Sequence, residues 1–181
     1  TEIYTLSLHD ALPILARYGV IVEFVDGTDL AQWRAALARP ARLVFLESVS
    51  NPTLEVIDLP AVCTLAHAAG ALVVVDNVFA TPVFSNAVAQ GADLVVYSAT
   101  KHIDGQGRCL GGVICGTREM VRGPIETYMK HTGGAMSPFN AWVLLNGLTT
   151  LDLRVRAQAA SAQRLAEALE GHAALSRVLF P

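Results

Sequence analysis

Cysteine is scarce in this chain. Cys63, Cys109 and Cys115 are the only three in 181 residues. An odd number with no Cys-x-x-Cys spacing builds neither a disulfide framework nor a zinc site, and a reducing cytoplasm is the expected setting. Charge is sparse as well. Charged residues make up 16%, and 13 Lys and Arg against 16 Asp and Glu leave a net charge of −3. Nothing in that balance favours a nucleic acid or an anionic membrane surface as partner. No uninterrupted apolar run is long enough to span a bilayer, and no basic-then-apolar leader opens the chain. Internal repeats and low-complexity linkers are missing too. What the chain does have is apolar residues: 52% are hydrophobic and the mean hydropathy is +0.43. That is enough for a sizeable core, in one domain with perhaps part of a second.

The apolar residues alternate between two patterns. Short β-branched runs predict strands over 20–25, 42–47, 71–75, 93–97 and 111–116. Amphipathic stretches between them predict helices. Thr28 or Asp29 can cap a helix over 30–38 that Pro40 stops. Asp58 can cap one that starts at Leu59-Pro60 and ends at Gly70 in a left-handed turn. A short helix is expected over 84–90, closed by Gly91. The helix over 118–131 is interrupted at Gly123-Pro124. Ser137-Pro138 starts a helix that carries Trp142, Leu144, Leu145 and Leu148, and a long amphipathic helix follows over 151–169. Phe180-Pro181 reads as the start of another strand. Strands alternating with helices place the chain in the α/β class, with a mostly parallel sheet flanked by helices. Residues 1–14 fit neither period, and Pro13 breaks any helix there, so an irregular arm is expected.

One stretch carries chemistry. Val95-Val96-Tyr97-Ser98-Ala99-Thr100-Lys101-His102 begins apolar and ends in two hydroxyls and a lysine. Desolvation at the end of a buried strand lowers an ammonium's pKa and makes the amine a nucleophile able to form a Schiff base with an aldehyde. Ser98 and Thr100 are spaced to hold a phosphate. A Schiff-base lysine beside phosphate-holding hydroxyls describes a pyridoxal phosphate (PLP) site. On these residues alone a surface lysine after an edge strand is the favoured reading, because Ser-x-Thr-Lys is a short pattern with a high chance rate. In open α/β sheets ligands sit at the carboxyl ends of strands. Asn51, Asp76 and Lys101 each follow a predicted strand. Asp76 comes after five apolar residues and needs a partner at that depth, such as a protonated ring nitrogen. A turn or cap role for Asp76, and an Asn-Pro turn for Asn51, stay open at this point.

Three segments resemble the Cys/Met-metabolism PLP enzymes of fold type I. They are Glu47 to Pro52, Asp76-Asn77-Val78-Phe79-Ala80-Thr81-Pro82, and Ser98-Ala99-Thr100-Lys101-His102. The resemblance spans about residues 15–181. It implies that Lys101 is the catalytic lysine that joins the cofactor, and that Asp76 pairs with the pyridine nitrogen. Asn51 would hydrogen-bond the ring's phenolic oxygen, Ser98 and Thr100 the phosphate, and Glu47 is assigned no chemistry. Within the family, residues 101–112 and 131–142 are most similar to the O-succinylhomoserine sulfhydrylases. That implies γ-replacement, with an amino-acid substrate and sulfide as small-molecule partners and a homo-oligomer, a tetramer built of dimers. Cystathionine γ-synthase, or a cystathionine or methionine β- or γ-lyase, is the alternative reaction. A catalytically silent fragment is the alternative of another class.

The family's phosphate loop and ring-stacking tyrosine have no match before Leu15. The tyrosine and arginine lent across its dimer interface, and its C-terminal substrate-binding arginine, are also absent. The chain therefore reads as a piece of a longer protein. Residues 1–14 would be foreign or disordered, 15–150 part of the PLP-binding large domain, and 151–181 a connecting helix with the start of a C-terminal domain. Other candidates draw blander readings. His102 reads as a wall of the site, and His67 and His172 as structural. Asp104 to Gly107 is a glycine-rich turn and not a dinucleotide fingerprint. Cys109 and Cys115 read as small apolar residues.

Overall fold

Three β-branched residues in a row favour an extended chain, and Val73, Val74 and Val75 have no polar side-chain atom to offer water. They form the middle of strand β4 (Leu72–Asp76), and all three are buried. The computed structural model describes residues 2–4 and 12–181, with side chains described from Ile14 onward. Its sheet also contains β1 (Glu2–Tyr4), β2 (Val22–Phe24), β3 (Leu43–Glu47), β5 (Leu94–Ser98) and β6 (Gly112–Gly116), in the spatial order β2-β1-β3-β4-β5-β6. The pairings from β2 across to β5 are all parallel, as expected. Leu43–Glu47 matches Leu72–Asp76 residue by residue, so Glu47 stands beside Asp76, and Asp76 stands beside Val96 on the other side.

The chain divides into two compact units. One comprises residues up to Tyr97 with Val113–Ala135, the other Ser98–Gly112 with Met136–Pro181. In the first, helices α2 (Leu30–Leu37) and α3 (Leu59–Ala68) supply Trp33, Ala36, Val62, Cys63 and Ala66 to a cluster with Val44, Leu46, Val73, Val75 and Val95. Each fully buried valine contributes about 1.5–3 kcal/mol. Both expected caps are made. The Asp29 carboxylate accepts from the backbone of Ala31 and Gln32, and Asp58 from Ala61. Trp33 is sealed from solvent, and its indole N–H donates to the Gly27 carbonyl at 3.0 Å. Cys63 is equally sealed, and burial followed by the charge of Asp93 pushes its thiol up to about 11. His67, in the last turn of α3, pairs through Nε2 with Asp93 at 3.0 Å, in keeping with a structural role.

Several expectations are corrected. The segment before Leu15 is not wholly irregular: β1 lies within the sheet, and helix α1 runs Leu12–Arg17. Pro13 falls in the first turn of α1, where its missing N–H breaks no helical bond. Residues 1 and 5–11 of that segment lie outside the described residues. Asp76 is the last residue of β4 and does not follow it. The helix expected over 84–90 lies earlier, as α4 (Thr81–Phe84) with Pro82 in its first turn. Residues 87–91 form turns instead: Asn86 accepts from the backbone of Ala89 as a cap would, but the turn it starts closes after Gln90 and Gly91. The Gly123-Pro124 interruption is a five-residue π-turn (Val121–Ile125) between α5 (Arg118–Met120) and α6 (Glu126–Thr132). Phe180-Pro181 is not strand, and no ladder partner meets it among the described residues.

In the second unit, Ser137 caps α7 (Pro138–Leu148) by accepting from Asn140, and α8 (Leu151–Leu169) follows. Val143, Leu144, Leu151 and Val155 are buried there with Ala99 and Ile103. Of the apolar residues that α7 carries, Trp142, Leu145 and Leu148 are exposed. No helix among the described residues is long and apolar enough to cross a membrane. Trp33 offers the test of the first unit's core. Trp33→Ala in the whole protein should lower unfolding free energy by about 3–5 kcal/mol in a denaturant titration.

Candidate active-site residues

Parallel pairing brings the carboxyl ends of β3, β4 and β5 to one edge of the sheet. At that edge Glu47 and Asp76 are neighbours in register. Glu47 is buried, and its Oε2 accepts from the backbone N–H of Asn51 at 3.0 Å. Asn51 itself is exposed in the following turn. Asp76 is half-buried. Its Oδ1 accepts from the N–H of Val78 at 3.0 Å, and its Oδ2 accepts no hydrogen bond among the described residues. Burial pushes its carboxyl up from the ordinary 3.8, the bond from Val78 pulls it back, and the nearby charge of Glu47 pushes it further up. A carboxylate in that state gains most from a cationic donor.

Asn77 next to it is fully buried and joins three strand ends. Ser48 Oγ donates to Asn77 Oδ1 at 2.6 Å. Asn77 Nδ2 donates to the Ser85 carbonyl at 2.8 Å, the Tyr97 hydroxyl at 3.0 Å and the Thr81 carbonyl at 3.3 Å. Burial raises the Tyr97 phenol, and the bond from Asn77 pulls it the other way. The backbone repeats the link. Ser48 N–H donates to the Asp76 carbonyl at 3.0 Å, and Asn77 N–H to the Val96 carbonyl at 3.1 Å.

The second unit holds the lysine segment. Ser98 is half-buried, and its hydroxyl makes no hydrogen bond among the described residues. Thr100 differs, because Gly111 N–H donates to its Oγ1 at 3.1 Å and its own hydroxyl faces the Gly111 carbonyl at 3.4 Å. Lys101 lies in a turn whose backbone closes twice. Asp104 N–H donates to the Ala99 carbonyl and Gly105 N–H to the Lys101 carbonyl, both at 2.8 Å. The side chain of Lys101 is exposed. The desolvation expected of it is therefore not supplied by this chain, because three residues of turn carry it past the buried strand. His102 is half-buried, and burial followed by the charge of Arg154 lowers its pKa, so its ring is neutral at pH 7. Asp104 is sealed and accepts from the backbone of Arg108 at 2.6 Å, the Arg108 side chain at 2.9 Å and the Gln106 backbone at 3.3 Å. Those bonds, the Arg108 backbone first, hold its carboxyl below the ordinary range.

The structure thus places Glu47, Asn51 and Asp76 in the first unit and Ser98, Thr100 and Lys101 in the second. Asn77, Ser48 and Asp104 were missed as organising groups. The one available signal was a polar residue at the end of an apolar strand, and that signal had been spent on Asp76.

The family profile described as Cys/Met metabolism PLP-dependent enzyme matches residues 2–181. The chain is 58% identical over 168 residues to an O-succinylhomoserine sulfhydrylase of Mycobacterium tuberculosis, covering 93% of this chain and 41% of that protein. It is 44% identical over 176 residues to an O-succinylhomoserine sulfhydrylase of Pseudomonas aeruginosa, covering 97% and 43%. An apo methionine gamma lyase from Micromonospora echinospora matches in structure with a TM-score of 0.90 and 36% identity, over 95% of this chain and 48% of that one. The chain spans about two fifths of the length of the curated relatives it matches.

Asp76 gives a pH prediction with a definite sign. Its raised pKa means the folded state holds the proton more tightly than the unfolded state. Its contribution to stability is full below pH 3.8 and is lost as pH rises through the raised value. Asp76→Asn should flatten that fall when the melting temperature of the ligand-free protein is followed upward from pH 3.8. Asn77→Ala leaves buried partners unpaired and should cost about 1–3 kcal/mol in a denaturant titration.

Proposed function

This chain belongs to the Cys/Met metabolism PLP-dependent enzymes, and on that premise we propose that the whole protein is an O-succinylhomoserine sulfhydrylase. The Cγ–O bond of O-succinylhomoserine breaks, a Cγ–S bond to sulfide forms, and homocysteine and succinate are released. Asp76 is the observation that carries the chemistry: a half-buried carboxylate, raised by burial, with one oxygen unclaimed among the described residues. The choice of reaction is supported by the 58% identity to the sulfhydrylase of Mycobacterium tuberculosis.

Bound pyridoxal phosphate supplies the electron sink for the pair left at Cα when its proton departs. Asp76 would accept from the protonated ring nitrogen through Oδ2 and keep that proton in place. The gain offsets the desolvation that raises its pKa. Asn51 would offer its side-chain amide to the phenolic oxygen, since its backbone N–H is engaged by Glu47. Ser98 would donate to the phosphate. Thr100 can do so only by turning its proton away from the Gly111 carbonyl, a contact of 3.4 Å. Lys101 would join the cofactor and, once released, take the proton from Cα and deliver protons elsewhere on the substrate. Its exposure leaves the amine accessible for both tasks. Further substrate-binding groups, and a tetramer built of dimers, would belong to the whole protein.

Elimination is the second reading, favoured by the name of the Micromonospora echinospora neighbour, a methionine gamma lyase. Incubating the whole protein with O-succinylhomoserine and sulfide, and separately with cystathionine or methionine alone, decides between them. Homocysteine formed chiefly in the first mixture supports replacement; ammonia and a keto acid from the others would overturn it. Lys101→Ala should lower turnover about a hundredfold or more and abolish the visible absorbance of lysine-linked cofactor. An unchanged spectrum would remove Lys101 from its role.

A further inference from the structure

Arg154 stands on the first turn of α8 and has no part in the roles assigned so far. Its donors go to main-chain carbonyls and one hydroxyl. Nη1 donates to the His102 carbonyl at 2.9 Å. Nη2 donates to the Gly147 carbonyl at 2.9 Å and the Ile103 carbonyl at 3.3 Å. Nε donates to Thr150 Oγ1 at 3.0 Å. No carboxylate partners it among the described residues. His102 and Ile103 are the two residues directly after Lys101, so the guanidinium fork grips the backbone of the lysine's own turn.

The surroundings are shaped for that grip. A Cβ at Gly105 would stand 2.1 Å from Arg154 Nη1, so only glycine lets the guanidinium lie against the turn. A Cβ at Gly147 would stand 2.2 Å from the Ile103 carbonyl oxygen, so α7 also meets the turn at backbone distance. The turn is closed from within by the bonds to Ala99 and Lys101. It is gripped from outside by one planar fork that reaches two successive carbonyls. A lysine at 154, with a single point of charge, could not reproduce that geometry.

We infer that Arg154 is a positioning residue for Lys101, fixing the backbone of the 101–105 turn so that the lysine amine meets the cofactor's aldehyde. The inference rests on the proposed role of Lys101. Holding two reacting groups in line is worth orders of magnitude in rate, and a small misplacement loses much of it.

The test uses the whole protein freed of cofactor. Pyridoxal phosphate is added, samples are reduced with borohydride at intervals, and the labelled peptide is identified by mass. Arg154→Gln should label Lys101 about tenfold more slowly or worse, with Arg154→Lys between it and wild type. The Asp104 and Gly105 amides should exchange hydrogen faster in both variants before any cofactor is added. Thr150→Val, which removes the Nε acceptor together with the long bond from that hydroxyl to the Gly147 carbonyl, should show a smaller slowing in the same direction and serves where Arg154→Gln does not fold. Labelling of Lys101 at the wild-type rate in variants that melt lower would overturn the inference, leaving Arg154 merely structural. Labelling of another lysine in wild type would overturn the reading of Lys101 and this inference with it, so the two failures are told apart by which lysine is labelled.

Discussion

The peptide joining Asp76 to Asn77 is gripped from both sides. Ser48 N–H holds its Asp76 carbonyl from the end of β3, and the Val96 carbonyl on β5 holds its Asn77 N–H. The Asn77 side chain then ties Ser48 and Tyr97 together across the same three strand ends. These groups lie beside an apolar cluster, where a hydrogen bond is stronger than in water and a missing one leaves an unpaired polar atom. The direction in which Asp76 leaves the strand depends on that clamp. So does its depth, and depth is what raises its pKa.

The lysine turn is organised differently. Nothing in its own unit buries the Lys101 side chain, yet its backbone is tied at almost every residue. Thr100 is tied to Gly111, His102 and Ile103 to Arg154, Asp104 to Ala99 and Arg108, and Gly105 to the Lys101 carbonyl. In the role proposed for Lys101, a long flexible side chain on a rigid backbone would swing between attachment to a ligand and proton transfer without the turn moving. The order here resides in the main chain rather than in the lysine side chain.

Much of this was legible in the sequence. Val73-Val74-Val75 announces a strand covered on both faces, and alternation of such runs with capped helices announces the parallel sheet. Asp29, Asp58 and Ser137 cap helices as their local sequence implies, because a cap reaches only two or three residues along the chain. The misreadings share a cause: distance along the chain. Asn77 shows no role in the sequence because its partners Ser48 and Tyr97 are 29 and 20 residues away. The bond from Gly111 to Thr100 is likewise hidden, because Gly111 lies eleven residues on. The exposure of Trp142 and Leu145 is not legible, because helical spacing says which residues share a face and not what that face meets. The lysine and aspartate stand out in the sequence because each comes at the end of an apolar run, and that signal is local.

Cys63 has a practical consequence. Its thiol is sealed beneath α3 and pushed up to about 11, while Cys109 and Cys115 are half-buried. A sulfhydryl reagent at neutral pH meets almost no thiolate there and has no path to it. Alkylation of Cys63 can therefore proceed only when α3 lifts from the sheet. Its slow modification is a built-in clock for the breathing of that layer, readable by mass spectrometry without any engineered probe.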